Sequence, residues 1–405
     1  MTTACDSLAG LIAPVTEDEF FREYWDRAPL YLRRGTADAY GGVLRAEDVE
    51  AFLSRGDIRY PALRMAKDGP TILPSSYSDI LTFGSYAAEG LVDVERVRQF
   101  HAAGASIILQ LTRSSIPRLS RFANRLQANL GFNVETTVYL TPKNAQGFTT
   151  HYDTHGVFVL QIEGKKRWRL YDFMRDLPTL SQTFDSSEAV PSVVRREVVL
   201  EPGDLLYVPR GLAHDAVAES EGSSLHVSVG LFPPLWLDLF GVLVEEVKGD
   251  VRFRRSPLGQ LLMGARDGLQ AAQGELKLLL QLLRDRFDAK HLIAKHSAQA
   301  VAEMSQSNSG RLFDYLSGDC LSLETIVARR QEIHCVREEA QGRTTLRFYE
   351  KVLSFPNAVA PAIDCVFERE QFPVNEIQYN LADPSKLTFI RKLITEGLVR
   401  VVTPM

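Results

Sequence analysis

The sequence predicts an α+β protein in which a strand-rich centre lies between two helical zones. Short runs rich in β-branched and aromatic residues concentrate between about positions 132 and 232. Apolar residues at helical spacing dominate before and after them. A length of 405 residues exceeds one ordinary core, so two or three domains are expected.

Composition and charge narrow the class of protein. With 45% hydrophobic and 24% charged residues, the chain has the composition of a folded globular protein. The net charge of −5 argues against broad electrostatic attraction to nucleic acid or anionic lipid, although it leaves room for a local basic patch. The four cysteines form no CxxC pair, no signal peptide is recognised, and no apolar run approaches the ~20 residues of a membrane span. A cytoplasmic protein is therefore expected.

The first zone, from about residue 16 to 131, is predicted to be mostly helical. "TEDEFFREYW" has an acidic start followed by aromatic residues at helical spacing, and "RAEDVEAFLSRG" repeats this pattern and is expected to end at Gly56. "DVERVRQFHAAGASIILQL" predicts a helix, a glycine turn and a buried strand. "SIPRLSRFANRLQANLG" predicts an amphipathic helix closed by Gly131.

The central zone contains six predicted strands separated by turn residues. These are "VETTVYLTP", "GVFVLQIEG", "KRWRLYDF", "REVVLEPGD", "LLYVP" and "SLHVSVGLF". Strands of this length and spacing indicate an antiparallel sandwich or barrel of the jelly-roll class. The "EGK" turn is expected to form a hairpin that returns "KRWRLY" beside "GVFVLQIE".

The last zone returns to helix. "PLWLDLFGVLVEEV" and "GELKLLLQLLRDRF" carry apolar faces wider than one core contact needs, which predicts a partner surface. "FPVNEIQYNLADPSKLTFIRKLITEGLVRVV" predicts helix, turn, helix and strand, the order of a small winged-helix module. The expected domains are therefore 1–235, 236–300 and 301–405, with the helical and winged-helix-like parts last. The last zone lacks a clear basic face, so DNA binding is not expected.

Three side chains that can bind metal follow one another at alternate positions in "TTHYDTHGVFVLQIEG". Residues i and i+2 of a strand point to the same face, so His151 and Asp153 could both reach into a barrel, whereas His155 lies too far along a strand to share the same ion. An imidazole, a carboxylate and a distant second imidazole are the ligands of non-haem Fe(II) oxygenases. The pattern alone is equally compatible with a surface turn.

A second motif supplies the distant histidine. "GDLLYVPRGLAH" runs from Gly203 to His214 and combines a Gly-Asp turn, a buried strand, and a Pro-x-Gly turn that aims His214 back into the barrel. His226 lies instead within a regular predicted strand beside Ser228, so no ligand role is expected for it.

Together these motifs resemble the JmjC-type, cupin-fold oxygenases of the ribosomal-oxygenase group, which use Fe(II) and 2-oxoglutarate. The resemblance covers nearly the whole chain and is most specific in "VYLTPKNAQGFTTHYDTHGVFVLQIEGKKRWRLY" and "LEPGDLLYVPRGLAHDAV". It implies a double-stranded β-helix core and a helical dimerisation region. It also implies iron ligands at His151, Asp153 and His214, and cosubstrate contacts from Lys166, Tyr139 and Ser228.

The residues around Lys166 agree with this role. Strand alternation places Lys166, Trp168 and Leu170 on one inward face. A lysine between apolar neighbours needs a negative partner, and the distal carboxylate of 2-oxoglutarate would be one. The alternative is a solvated strand face on which Lys166 does not differ from Lys165.

The resemblance implies hydroxylation of a protein or peptide side chain, with release of succinate and CO2. A ribosomal protein is one candidate substrate, and a homodimer is expected. Two other functions stay open at this point. One is a small-molecule hydroxylase on the same scaffold, and the other is a non-enzymatic cupin sensor with a DNA-binding winged helix.

Overall fold

The computed structural model describes residues 5–257, 266–286, 288–304, 320–377 and 381–402. These residues divide into two compact units. Unit 1 comprises those within 1–232, 305–334 and 358–405, and unit 2 comprises those within 233–304 and 335–357. The three-domain division into 1–235, 236–300 and 301–405 stays a prediction.

The N-terminal part of unit 1 contains two main antiparallel sheets, which with the surrounding helices confirm the predicted α+β class. One has the strand order β1-β10-β7-β12-β6-β5-β2, the other has the order β11-β8-β9, and β3 pairs separately with β4. The strands are β1 (Leu30–Leu32), β2 (Leu63–Ala66), β3 (Ser78–Phe83), β4 (Tyr86–Val92), β5 (Ser106–Leu109), β6 (Asn133–Thr141), β7 (Gly156–Glu163), β8 (Lys166–Phe173), β9 (Arg196–Leu200), β10 (Leu205–Val208), β11 (Leu212–Ala218) and β12 (Ser224–Phe232). All six predicted central strands are present.

The helices of the first zone confirm the four predicted helical segments. They are α1 (Leu8–Ile12), α2 (Glu17–Glu19) with a following π-helical turn (Phe20–Tyr24), α3 (Ala46–Leu53), α4 (Val94–Ala102), α5 (Thr112–Ser115) and α6 (Pro117–Leu130). The predicted end of α3 was wrong, because the helix stops at Leu53 and its C-cap is Ser54 rather than Gly56.

Helix α6 shows how the sequence determines a helix and its packing. Pro117 occupies the first turn, where its missing N–H costs nothing, and Gly131 ends the helix with a φ of +77°. Leu119, Phe122 and Leu126 are buried on one face, in the large apolar core of unit 1. This amphipathic helix packs against the long strand β6, which carries part of the site.

The "EGK" turn does not form the predicted hairpin. β7 pairs with β10 and β12, whereas β8 pairs with β9 and β11. The turn therefore carries the chain from one sheet to the other, as jelly-roll topology requires. At Gly164 φ is +64°, and a Cβ would lie 2.0 Å from the carbonyl oxygen of Ser223, so this crossing requires glycine.

The segment that holds His151 is not the regular strand that was predicted. His151 forms a single β-bridge, and β7 begins only at Gly156. The bridging partner is His214, in a strand, β11, that the sequence did not reveal. "LAHDAVA" is short and poor in β-branched residues, which explains why β11 was overlooked.

The remaining elements belong to unit 2 and to the C-terminal part of unit 1. They are α7 (Trp236–Val247), α8 (Arg266–Arg286), α9 (Ala289–Ala302), β13 (Ile326–Arg329), β14 (Val336–Ala340), β15 (Arg343–Phe348), β16 (Lys351–Pro356), α10 (Ala360–Glu368), β17 (Phe372–Pro373), α11 (Asp383–Thr395) and β18 (Val399–Val401). β17, β13 and β18 form one sheet, and β14, β15 and β16 form another. No described helix has the length and apolar character of a membrane span.

The last zone follows the prediction in part. α7 and α8 match the two predicted helices, although Phe287 lies outside the described residues. The helix expected over "VNEIQYNL" is only a 3-10 turn at Val374–Glu376, and residues 378–380 lie outside the described part of the chain. The sheet of β14, β15 and β16 was not predicted.

Candidate functional site

A cavity of about 720 Å³ lies between the seven-stranded sheet and the β11-β8-β9 sheet of unit 1. β6, β7, β10 and β12 form one wall, β8 and β11 form the other, and loop residues such as Asp68, Phe148 and Phe184 form the rest. The six residues singled out in the sequence all line this one cavity: His151, Asp153, His214, Lys166, Tyr139 and Ser228.

At one end of the cavity, two imidazoles and a carboxylate converge. Ligand atoms of His151, Asp153 and His214 all lie within 4.8 Å of one another. Nε2 of His214 is 3.7 Å from Oδ2 of Asp153, and the two imidazole centroids are 4.6 Å apart. Metal–ligand bonds are close to ~2 Å, so small side-chain rotations would bring all three donors onto one ion. These residues could hold a metal.

Backbone contacts hold the two histidines in position. The His151 amide donates to the His214 carbonyl at 3.1 Å, and the His214 amide donates to the His151 carbonyl at 2.8 Å. Nδ1 of His151 lies 2.7 Å from the Thr149 carbonyl oxygen, and Nδ1 of His214 lies 3.0 Å from that of Leu212. A carbonyl oxygen can only accept, so Nδ1 carries the proton in both rings and Nε2 keeps its lone pair.

The electrostatics of these three groups suit metal binding. Burial acts to raise the pKa of the Asp153 carboxyl, but the neighbouring histidines outweigh it and the pKa lies below its ordinary value. Burial and the neighbouring His151 lower the pKa of His214. An ionised carboxylate beside a neutral imidazole is the protonation state that a metal ion requires.

Asp215 joins the segment of His151 to the sheet of His214. It accepts hydrogen bonds from Thr150 at 2.7 Å, Arg169 at 2.6 Å and Tyr171 at 2.7 Å. A buried carboxylate with three donors is well compensated, so this network fixes the loop before Asp153 against β8 and β11. Asp215 was not predicted as a site residue, because its partners lie on other elements and an aspartate beside a histidine has no distinguishing pattern.

At the other end of the cavity, a lysine is buried. Lys166 is only 4% exposed, and its Nζ donates to Oγ1 of Thr141 at 3.0 Å. Ser106 also donates to this hydroxyl, at 3.0 Å. Among the residues that the structure describes, no carboxylate pairs with Lys166. Burial lowers its pKa to about 7.

The predicted alternation along β8 is confirmed. Lys166, Trp168 and Leu170 are buried, whereas the side chains of Arg167 and Arg169 keep 42% and 35% of their surface exposed and pair with acidic residues. Lys165 lies outside and pairs with Glu201 and Glu221. The two adjacent lysines therefore differ completely in environment. Thr141 is a further residue that the sequence analysis missed, because a threonine at a strand end has no distinguishing pattern.

Tyr139 and His226 form a stacked pair beside Lys166. Their ring centroids are 4.9 Å apart with an interplanar angle of 4°, and Trp168 meets His226 edge-on at 5.7 Å. Burial raises the pKa of Tyr139 and, with the Lys166 charge, holds the pKa of His226 well below its ordinary value. His226 is thus a neutral ring at physiological pH.

Ser228 and His155 take different positions. Ser228 lies on β12 and lines the cavity. His155 stacks on Phe232 at 4.6 Å, above Gly230, where a Cβ would approach the imidazole to 3.0 Å. The earlier reason for excluding His155, its distance along a strand, does not apply, because residues 152–155 are not in a strand. Its ring is instead held against Phe232, and it is not part of the three-residue metal-capable group.

Comparisons of the sequence agree with the predicted resemblance. The JmjC domain family matches residues 110–239, the segment that contains all six predicted site residues. Ribosomal oxygenase 1 of Gallus gallus is 33% identical over 237 residues, which are 56% of this chain and 37% of that protein. The protein named "Bifunctional lysine-specific demethylase and histidyl-hydroxylase NO66" of Dictyostelium discoideum is 32% identical over 242 residues, 59% of this chain and 45% of the relative. The chain thus matches less than half the length of these relatives.

Solved structures extend the likeness of fold beyond the JmjC segment. The Escherichia coli ribosomal oxygenase YcfD aligns over 96% of this chain and 98% of its own, with a TM-score of 0.57 and 16% identity. A YcfD structure in complex with cobalt and 2-oxoglutarate aligns over 96% of this chain and 99% of its own, with a TM-score of 0.54 and 15% identity. The predicted resemblance to ribosomal oxygenases is confirmed, and at this identity the structural match establishes the fold.

Proposed function

Because residues 110–239 match the JmjC domain, we propose that this protein is an Fe(II)- and 2-oxoglutarate-dependent oxygenase that hydroxylates a side chain of a protein or peptide. The observation that carries the proposal is one cavity with a His-Asp-His group at one end and, at the other, a buried lysine that pairs with no carboxylate among the described residues. A metal and a dianionic cosubstrate would complement both ends.

We assign the metal to His151, Asp153 and His214. Two imidazoles and one carboxylate are the donor set of non-haem Fe(II) oxygenases, and such a set would leave other coordination positions of the metal open for a cosubstrate and dioxygen. The Nδ1 contacts with backbone carbonyls fix both rings with Nε2 toward the cavity. A two-histidine, one-carboxylate set with hard and borderline donors favours iron over a structural zinc site.

We assign the cosubstrate to the lysine end. A protonated Lys166 would bind the distal carboxylate of 2-oxoglutarate, and Thr141 holds Nζ in position through a 3.0 Å hydrogen bond. Tyr139 and Ser228 line the same space and each offers a hydroxyl donor. When bound, iron and 2-oxoglutarate would supply the activation of dioxygen, with succinate and CO2 as coproducts. The chain's own part is to orient both and to surround them with Val157, Val159 and Trp168, which limit water.

The substrate side of the proposal rests on the relatives. Their printed names describe ribosomal oxygenases and a histidyl-hydroxylase, so a protein substrate, with a ribosomal protein as one candidate, is the first to test. Phe148 and Phe184 flank His151 at centroid distances of 5.8 and 6.3 Å and provide apolar contacts for an entering side chain. Hydroxylation is preferred to demethylation.

The DNA-sensor alternative finds no support in the C-terminal module. On α11, Lys386 pairs with Asp383 at 3.2 Å and Lys392 pairs with Glu396 at 2.7 Å. A helix that reads DNA presents unpaired basic side chains to the phosphates. The small-molecule alternative is separated from the protein hydroxylase by the substrate assay below.

The assembly remains part of the proposal. α7 exposes Trp236 at 75%, Leu237 at 64%, Phe240 at 56% and Val244 at 56%, an apolar stripe that supports a homodimer through the helical region. From the sequence patterns we also propose the domains 1–235, 236–300 and 301–405, a winged-helix-like character for the last domain, and a cytoplasmic location. The four cysteines, none of which is in a disulfide, agree with that location.

The proposal is tested by incubating the iron-loaded protein with 2-oxoglutarate, dioxygen and ribosomal proteins or their peptides. Mass spectrometry should find a product heavier by one oxygen atom, together with succinate. Small-molecule extracts serve as the second substrate arm. Absence of succinate in every arm, with iron bound, would contradict the proposal.

A further inference from the structure

A second cleft, of about 600 Å³, lies in unit 1. Its lining comes from the end of α5, the first and middle turns of α6, the residues around the end of β13, one residue before β17 and one residue in β18. None of its lining residues lines the catalytic cavity. The residues of this cleft can therefore be substituted without changing any residue that lines the catalytic cavity.

The cleft is rich in guanidinium groups. Two carboxylates, those of Glu332 and Glu370, accompany five arginines. Those arginines are Arg121, Arg125, Arg329, Arg330 and Arg400. The formal charge of the lining is therefore positive in a chain whose net charge is −5. These residues are scattered along the sequence, which is why composition and helix patterns did not reveal the patch.

The arginines differ in what they contact. Arg125 forms an ion pair with Asp6, and Arg330 lies 3.3 Å from Glu332. Arg121 and Arg400 are exposed, and their side chains make no ion pair or hydrogen bond within the part of the chain that the structure describes. Two uncompensated guanidinium groups thus face a concave surface.

This chemistry fits a chain of phosphates. A guanidinium group presents two parallel N–H donors that match phosphate oxygens, and it can also stack on a base. The hydroxyls of Ser114 and Ser120 line the same cleft and can donate to phosphate or to a ribose hydroxyl, whereas that of Ser115 donates to the Leu111 carbonyl at 3.1 Å. Pro117, which is exposed, adds a small apolar surface for a base.

We propose that this arginine cleft binds the phosphate backbone of single-stranded RNA. The choice of RNA rests on the proposed function, because a ribosomal substrate would be presented within ribosomal RNA. Duplex DNA is not favoured, since α11 offers no basic face to a groove. The cleft would hold a few nucleotides as a secondary contact beside the substrate.

The test measures binding of a fluorescein-labelled single-stranded RNA of mixed sequence to the full-length protein by fluorescence anisotropy. The double variant Arg121→Glu/Arg400→Glu reverses two exposed charges that support no other contact. Arg59→Glu reverses the charge of one exposed arginine outside the cleft and is the control for a general charge effect. Turnover of 2-oxoglutarate is followed in the same preparations.

Wild-type protein and Arg59→Glu should bind alike, and the double variant should bind roughly tenfold or more weakly. For about three phosphate contacts, the logarithm of the wild-type affinity should fall against the logarithm of salt concentration with a slope near −2. Turnover should not differ among the three proteins. RNA binding without any turnover would support the cleft and count against the proposed function alone.

Three results would overturn the cleft proposal. They are no RNA binding by an active wild-type enzyme, equal binding by the double variant, and an equal loss in Arg59→Glu. Displacement by a phosphopeptide where the RNA fails to bind would reassign the cleft to phosphorylated protein and would also overturn it.

Discussion

The two ends of the catalytic cavity are built on opposite principles. At the metal end, His151, Asp153 and His214 compensate one another, and backbone carbonyls fix both imidazoles before any ion arrives. At the lysine end, Lys166 is buried with one neutral partner, Thr141, and its pKa falls to about 7. The first end carries its own balance of imidazoles and a carboxylate, whereas at the second end no carboxylate of the described residues pairs with the lysine.

This difference indicates how stability and function are divided in the fold. A buried ammonium group whose side-chain partner is only a hydroxyl lowers the free energy of unfolding. The pKa of Lys166 in the folded state lies below its ordinary value. As pH rises, Lys166 therefore loses its proton at a lower pH in the folded chain than in the unfolded chain. Its contribution to stability therefore rises with pH between about 7 and 10.5, and below about pH 7 the full cost of the buried charge remains. A carboxylate ligand would remove that cost by pairing with the ammonium group. Lys166 would therefore bind a carboxylate specifically.

Removal of any one metal-end side chain should have the largest effect. His151→Ala, Asp153→Ala and His214→Ala should each lose bound iron and lower 2-oxoglutarate turnover by roughly a thousandfold, because an open facial site cannot hold iron with two protein ligands. Elemental analysis and succinate formation measure this. His155→Ala and His226→Ala are the matched controls and should keep their iron. An iron-free His226→Ala beside an iron-bound His214→Ala would reverse the assignment.

Replacement of the buried lysine should separate the two ends. Lys166→Met should keep iron but raise the apparent KM for 2-oxoglutarate about a hundredfold, through loss of a charge-assisted contact. Since it also removes an uncompensated buried charge, Lys166→Met should raise the melting temperature by about 2–4 °C. Lys165→Met, at the adjacent exposed position, should change neither quantity. Loss of iron in Lys166→Met would show that the two ends are not independent.

The pH dependence of cosubstrate binding should follow the lysine. Binding requires the protonated ammonium, so affinity for 2-oxoglutarate should decline as pH rises above about 7, at constant metal occupancy. Lys166→Arg retains its charge throughout this range and should flatten the profile. Calorimetric titrations at several pH values provide the measurement. A flat wild-type profile from pH 6 to 9 would contradict the role of Lys166.

Loss of the hydroxyl that holds the lysine should have the smallest effect. Thr141→Val removes the only hydrogen bond that the Lys166 side chain makes among the described residues, while the shape of the side chain at position 141 stays similar. We expect the apparent KM for 2-oxoglutarate to rise about fivefold, with kcat nearly unchanged. Thr137→Val, on the same strand, is the control. An effect on kcat alone would place Thr141 in another role.

Local sequence patterns were sufficient to predict some turns and buried positions of this structure, but not the pairing of its strands. Gly131, Gly203 and Gly211 have positive φ, as their turns required, and the burial of Lys166 followed from alternation in β8. The partner strand of β8 did not follow, because a short turn is compatible with a hairpin and with a crossing between sheets. The bridge between His151 and His214 joins residues 63 positions apart, and no local pattern encodes it.

The residues that support the site were hardest to predict. Thr141 and Asp215 act through contacts with other elements, and their types are common at strand ends and beside histidines. Likewise, the arginine cleft combines α6 with residues some 200 positions later. The burial of a side chain could be predicted where apolar and polar residues alternate along one strand. It could not be predicted where tertiary packing brings distant segments together.

The central claim is that Lys166 is held without an anion until the cosubstrate supplies one. Calorimetry of 2-oxoglutarate binding to Mn(II)-loaded protein at pH 8, in buffers of different ionisation enthalpy, counts the protons taken up. We predict uptake of about one proton by the wild-type protein and none by Lys166→Met, because the ligand restores the charge on a largely deprotonated lysine. Binding with no proton uptake in the wild-type protein would contradict the claim.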